Sequence, residues 1–221
     1  MRSVRNGKGL IVPVLLALCW SWPAHAGTFL GADTFDQGES ANYVSLGAPD
    51  LEYGHIVGLT SLADVTARAR VTWAQNTRVG GVGIGLGSDW RMRFAALGGW
   101  QIAAVGKPDL ALHLSARDHP AVAPPSTSNT AAICLGNPGI VAGWDGDLPA
   151  RFSVGVHAPL TVFVAPQATL AIPVYLSVGA EATFASVVPM AQVDLGTTFY
   201  RLGGRDDSEV YVRLRLGVGW R

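Results

Sequence analysis

From Glu209 to Trp220 the chain reads EVYVRLRLGVGW, with Val210, Val212, Leu214, Leu216, Val218 and Trp220 on one parity. Glu209, Tyr211, Arg213, Arg215, Gly217 and Gly219 take the other. A period of two belongs to a β-strand, whose successive side chains point to opposite faces. One face wants an apolar medium along the whole strand, and the other tolerates charge. The pattern recurs. Val65, Ala67, Ala69, Val71 and Trp73 alternate with Asp64, Thr66, Arg68, Arg70 and Thr72. Val82, Ile84, Leu86, Trp90, Met92 and Phe94 share a face broken only by Ser88, opposite glycines, Asp89, Arg91 and Arg93. Phe152 to Val164 and Leu170 to Val178 continue it.

These runs predict strands near 41–47, 53–61, 64–74, 79–94, 100–115, 139–145, 150–164, 168–180, 189–200 and 208–220. Several are longer than a usual soluble strand and suit a tilted membrane crossing. Residues 116–139, rich in Pro, Ser and Thr, read as one long surface loop. In a bacterial barrel long loops face outward and both termini lie in the periplasm. The long loop falls outside if 41–47 and 139–145 are both strands, giving ten. Dropping both gives eight with that loop inverted. The count stays at eight to ten, and turns near 87–89 or 107–109 are a further way to divide the chain.

Residues 1–26 have a basic start, an apolar run from Leu10 to Trp22, and Ala24-His25-Ala26. This is the layout of a cleaved signal peptide, and the run is short of the roughly 20 residues of a membrane helix. Residues 27–221 then form the exported domain. It carries 13 basic and 16 acidic residues, a net of −3, which argues against a nucleic-acid partner. Cys134 is alone in it, so no internal disulfide forms, and Lys107 is its single lysine. Export and apolarity without helical spans point to a β-barrel.

The leader, the amphipathic strands and the terminal VYVRLRLGVGW resemble small bacterial outer-membrane β-barrel proteins. The resemblance implies an all-β, antiparallel up-and-down barrel of eight to ten strands, embedded in outer-membrane lipid and assembled by the barrel assembly machinery. It implies a structural, adhesive or narrow-channel role and no enzymatic activity. The alternative is a soluble exported lipocalin-like barrel with the apolar face inward around an apolar ligand. A water-facing surface of arginine and glycine with one lysine argues against it.

On the polar parity, Asp64, Arg68, Arg70, Asp89, Arg91, Arg93, Asp194, Glu209, Arg213 and Arg215 form a candidate lumen charge network. Opposed charges in a narrow barrel pair and fill it, whereas rings of arginine make an anion-selective constriction. The small bore favours filling. Trp73, Trp90, Trp100 and Trp220 are candidate interface aromatics. GGVGIGLG at 80–87 fails the dinucleotide spacing and lies inside an alternating strand, so its glycines are expected to face the lumen. His113 and Ser115 share a face but no Glu follows within a strand's length, and the scattered histidines have no metal-ligand spacing. No catalytic residue, cofactor or metal is expected.

Overall fold

The computed structural model describes residues 27–48, 50–74, 80–117, 127–144, 150–164, 169–184, 186–202 and 205–221. The expected leader lies outside them. The ladder segments are β1 (Ser40–Ala48), β2 (Asp50–Thr60), β3 (Ala63–Ala74), β4 (Gly80–Leu97), β5 (Trp100–Gly106), β6 (Asp109–Arg117) and β7 (Thr127–Gly136). There follow β8 (Gly139–Trp144), β9 (Ala150–His157), β10 (Leu160–Val164), β11 (Thr169–Ala182), β12 (Val187–Leu202) and β13 (Arg205–Trp220).

Thirteen segments make ten staves. β4 pairs with β5 through Trp90–Leu97 and with β6 through Val82–Gly87, so β5 and β6 continue one another. β7 with β8, and β9 with β10, do the same. The three interruptions fall at Lys107-Pro108, Asn137-Pro138 and Ala158-Pro159, side by side across the wall. Proline has no N–H to give a ladder, so each break sits where one donor is already missing. Ser88 N–H to Pro108 O (3.1 Å) and Ala158 N–H to Pro138 O (3.0 Å) bridge the crease. β13 pairs with β1 from Asn42↔Trp220 to Ala48↔Leu214 and closes the ring. All pairings are antiparallel, and no edge is left open.

Two expectations change. The loop expected over 116–139 contains β7, whose polar start TSNT carries little apolar alternation. The interruption near 107–109 leaves the strand direction unchanged, and 87–89 lies within the continuous β4. Ten staves put Arg117 at the end of β6 and Thr127 at the start of β7 on the rim opposite Ser40 and Trp220. Short reversals occupy the terminus-side rim, where Gly98 (φ 57°) and Gly99 (φ 85°) take a left-handed conformation unfavourable to other residues.

The two parities separate cleanly. Leu86 (66% exposed), Phe94 (58%), Val212 (62%) and Leu216 (59%) point outward. Glu52, Asp64 and Asp194 are buried inside. The lipocalin-like arrangement, apolar inward, is therefore not the one this chain adopts. Residues 27–36, to which the sequence patterns assigned no element, enter the lumen at the terminus-side mouth. There Phe35 packs with Ala41, Tyr43, Ile56 and Met190, and with Phe29 and Leu30 of the same segment.

Candidate functional site in the barrel lumen

The lumen has three levels. At the terminus-side mouth, segment 27–36 is tied to the wall by its backbone. Phe29 N–H (2.9 Å) and Leu30 N–H (3.0 Å) donate to one Glu181 oxygen, and Phe35 N–H (3.1 Å) donates to Asp64. Arg91 Nη1 donates to Gly31 O (2.7 Å), while Arg93 pairs with Asp33 (2.7 Å). Just beyond Trp220, Arg221 donates to Gly27 O (2.7 Å) and lies over the Phe35 ring at 5.0 Å. Phe29 packs on Gly219, where a Cβ would collide with its ring. Backbone groups removed from water are thus paired, as burial requires.

The middle level is a continuous ion network. Glu52 accepts from Tyr43 Oη (2.8 Å), Arg68 (3.1 Å) and Arg215 (3.2 Å). Arg68 also meets Asp89 (3.0 Å) and Asp109 (3.4 Å), and Arg70 holds Asp109 at 2.7 Å. Arg213 is seated on Asp50. Arg91 clasps Asp64 (2.5 Å), and Asp194 takes Gln192 (2.6 Å) with Arg215 at 3.9 Å. Lys107 reaches Asp89 at 3.6 Å. Glycines make room for these forks. A Cβ at Gly85 would press on Arg70, and one at Gly87 on Asp109 and Arg68. Gly47 of β1 likewise lets Arg215 lean toward Glu52 on β2.

Beside the network runs an aromatic row. His157 stacks on Tyr175 (5.0 Å) and Tyr175 on Tyr211 (4.9 Å), across Gly196, which is paired with both tyrosines. His157 Nε2 lies 3.1 Å from Ser177 Oγ, and Asn137 Nδ2 donates to Tyr175 Oη (2.9 Å). This histidine–serine contact lines a cavity of only about 80 Å³, too small for a substrate beyond a few waters.

The loop-side level is open space. A cavity of about 490 Å³ is lined by residues including Ala48, Asn137, Phe163, Tyr175, Glu209 and Tyr211, and by the loop-side members of the network. Lys107 and Arg215 line both cavities and stand between them.

Of the candidate charges, Asp64, Arg68, Arg70, Asp89, Arg91, Arg93, Asp194, Arg213 and Arg215 point inward and make the contacts above. Glu209 lines the loop-side cavity. Asp50, Glu52 and Asp109 of the network, and Asp33 and Glu181 at the terminus-side mouth, were not singled out from the sequence. Starting β2 at 53 cut off Asp50 and Glu52, although both continue its lumen parity with Gly54 and Ile56. Trp73, Trp90, Trp100 and Trp220 all face outward. Trp100 and Trp220 end their strands and Trp73 nearly does, but Trp90 stands within β4 with its ring over Gly106. Trp144, stacked on Phe152 at 6.5 Å, joins the terminus-side set. The side chains of His113 and Ser115 lie outside those described. Among the described residues no cluster of His, Cys, Asp and Glu is arranged to hold a metal.

No family model matches the chain, and no curated protein matches it in sequence. Among solved structures it is similar to a KdgM porin in complex with disordered oligogalacturonate, at 8% identity and TM-score 0.37. That match covers 83% of this chain and 99% of the porin. It is also similar to the β domain of the Bordetella autotransporter BrkA, at 14% identity and TM-score 0.40, covering 82% and 97%. The closed ladder stands on its own strand pairing, independent of these two likenesses.

Proposed function

We propose that the chain is an integral outer-membrane barrel without enzymatic activity, closed to through-passage and presenting its loop-side chamber to the exterior. Its surroundings are outer-membrane lipid, and its insertion is the work of the barrel assembly machinery. Lipid outside accounts for an exterior of exposed Leu, Val, Ile and Phe, which in water would be a large aggregation-prone surface. Closure rests on one observation above the others: residues 27–36 fill the terminus-side mouth with their backbone hydrogen-bonded to the wall. The ion network above them adds a second barrier, since its forks occupy the bore and match charge with charge. Barrels near eight strands fill with their own side chains, whereas aqueous channels belong to about sixteen.

The test is conductance in planar bilayers. The unmodified protein is expected to show no steady current. Deleting residues 28–36 together with Arg91→Ala and Arg93→Ala is expected to open one. A stable, large, anion-selective conductance from the unmodified protein would overturn closure and favour the narrow-channel reading.

A further inference from the structure

We infer that the loop-side chamber is a binding site for a small neutral polyhydroxylated molecule, of mono- or disaccharide size, entering from outside. This rests on the closed-lumen reading, because a site in a dead end retains what a through-channel would pass. Its volume of about 490 Å³ falls within the range of small-molecule pockets.

The charge inventory selects the class. Each guanidinium lining the chamber already faces a carboxylate: Arg213 faces Asp50, Arg70 faces Asp109, Arg68 faces Asp109 and Glu52, and Arg215 faces Glu52. An entering anion or cation would have to displace one of these buried partners, which is expensive. What lacks a partner is of both kinds. Asn137 Oδ1 and Asp50 Oδ1 are acceptors, on side chains almost wholly buried. Arg213 Nε and Arg215 Nε are donors. A carboxylate only accepts and an ammonium only donates, whereas a hydroxyl does both. Asn137 is fixed for the purpose, because its Nδ2 is committed to Tyr175 and its oxygen is left over. Tyr211 and Phe163 add aromatic wall on which the C–H face of a sugar ring can rest, while both faces of Tyr175 are taken by His157 and Tyr211.

Cys134 supplies the assay, since its thiol lines the same chamber. The folded protein in detergent is reacted with a small maleimide, alone and with glucose, sucrose, trehalose, phosphate, citrate or choline. At least one neutral sugar is expected to slow labelling saturably, about tenfold at ten times its dissociation constant. Protection is expected to vanish in Asn137→Leu and in Tyr211→Ala, each first checked for folding by its gel shift on heating. Protection by phosphate, citrate or choline alone would overturn the inference. So would labelling that no sugar slows, or a thiol that reacts only after unfolding. A conducting protein whose Cys134 is nevertheless protected by sugar refutes closure and leaves the site. Silent bilayers without protection refute the site and leave closure.

Discussion

Arg213 and Leu214 are neighbours in sequence and face opposite media, so this pair tests the two faces directly. Leu214 is half exposed on the outer face. Leu214→Arg is expected to cost about 2–4 kcal/mol near the bilayer midplane. Arg213→Leu would be mild if its partner were in water, but Asp50 is only 1% exposed. Breaking a buried pair by removing one partner costs about 3–5 kcal/mol, so the two single changes are expected to hurt comparably. The double change Arg213→Leu with Asp50→Leu is expected to recover most of the loss, and no change at Asp50 should rescue Leu214→Arg. Urea midpoints of the detergent-folded proteins measure all four. Failure of the double change to recover would remove Asp50 as the partner. At this scale the sequence was informative about direction and poor about partners. Parity says which way Arg213 points. Which acid it meets depends on β1 lying between β13 and β2, a pairing that no local pattern records.

Among elements, the strands with sustained alternation were legible: β3, β4, β12 and β13 fall within a few residues of their expected limits. β7 was not, because Thr127, Ser128, Asn129 and Thr130 look like loop residues and only Ile133, Cys134 and Leu135 alternate. Its strand state comes from two neighbours, β6 and β10, that offer ladders on both sides. Segment 27–36 was also missed. A clue existed: Ala41, Ile56, Val188 and Met190 are apolar residues on the lumen parity near the terminus-side ends, where something apolar had to meet them. That docking predicts a variant. Gly219→Val keeps β13 paired but puts a side chain where the Phe29 ring lies. Thermolysin is then expected to cut before Phe29 or Leu30 in the folded variant and to spare the unmodified protein. Equal resistance of the two would show that Gly219 does not seat the segment.

For the whole molecule, the decisive property is closure without an edge, and it has gross consequences. The protein is expected to partition with the outer membrane and to resist extraction by high salt or carbonate. Unheated samples are expected to migrate differently from boiled ones on a denaturing gel, since every strand is held on both sides. Recovery from the soluble periplasmic fraction without detergent would sink the membrane reading. Closure itself was only partly legible. The sequence leaves the count at eight to ten, ten being the number that puts the long connection opposite the termini. That a chain segment would share the bore with the arginines did not, because lumen volume is a property of the assembled ring and no local pattern records it.

The row of prolines gives this ring unequal stiffness around its circumference. From β12 through β13, β1, β2 and β3 the ladders run nearly without interruption. Across the sector from β5 to β10 they are cut at one level, and Asn137 and Pro159 of that sector line the chamber. The wall with the breaks is therefore expected to be the more compliant, and the wall carrying Asp50, Arg213 and Arg215 the stiffer. Amide exchange is expected to be fastest beside Pro108, Pro138 and Pro159 and slowest in β13 and β1. A chamber built this way is expected to adjust its width on the proline side while Asp50, Arg213 and Arg215 stay in register.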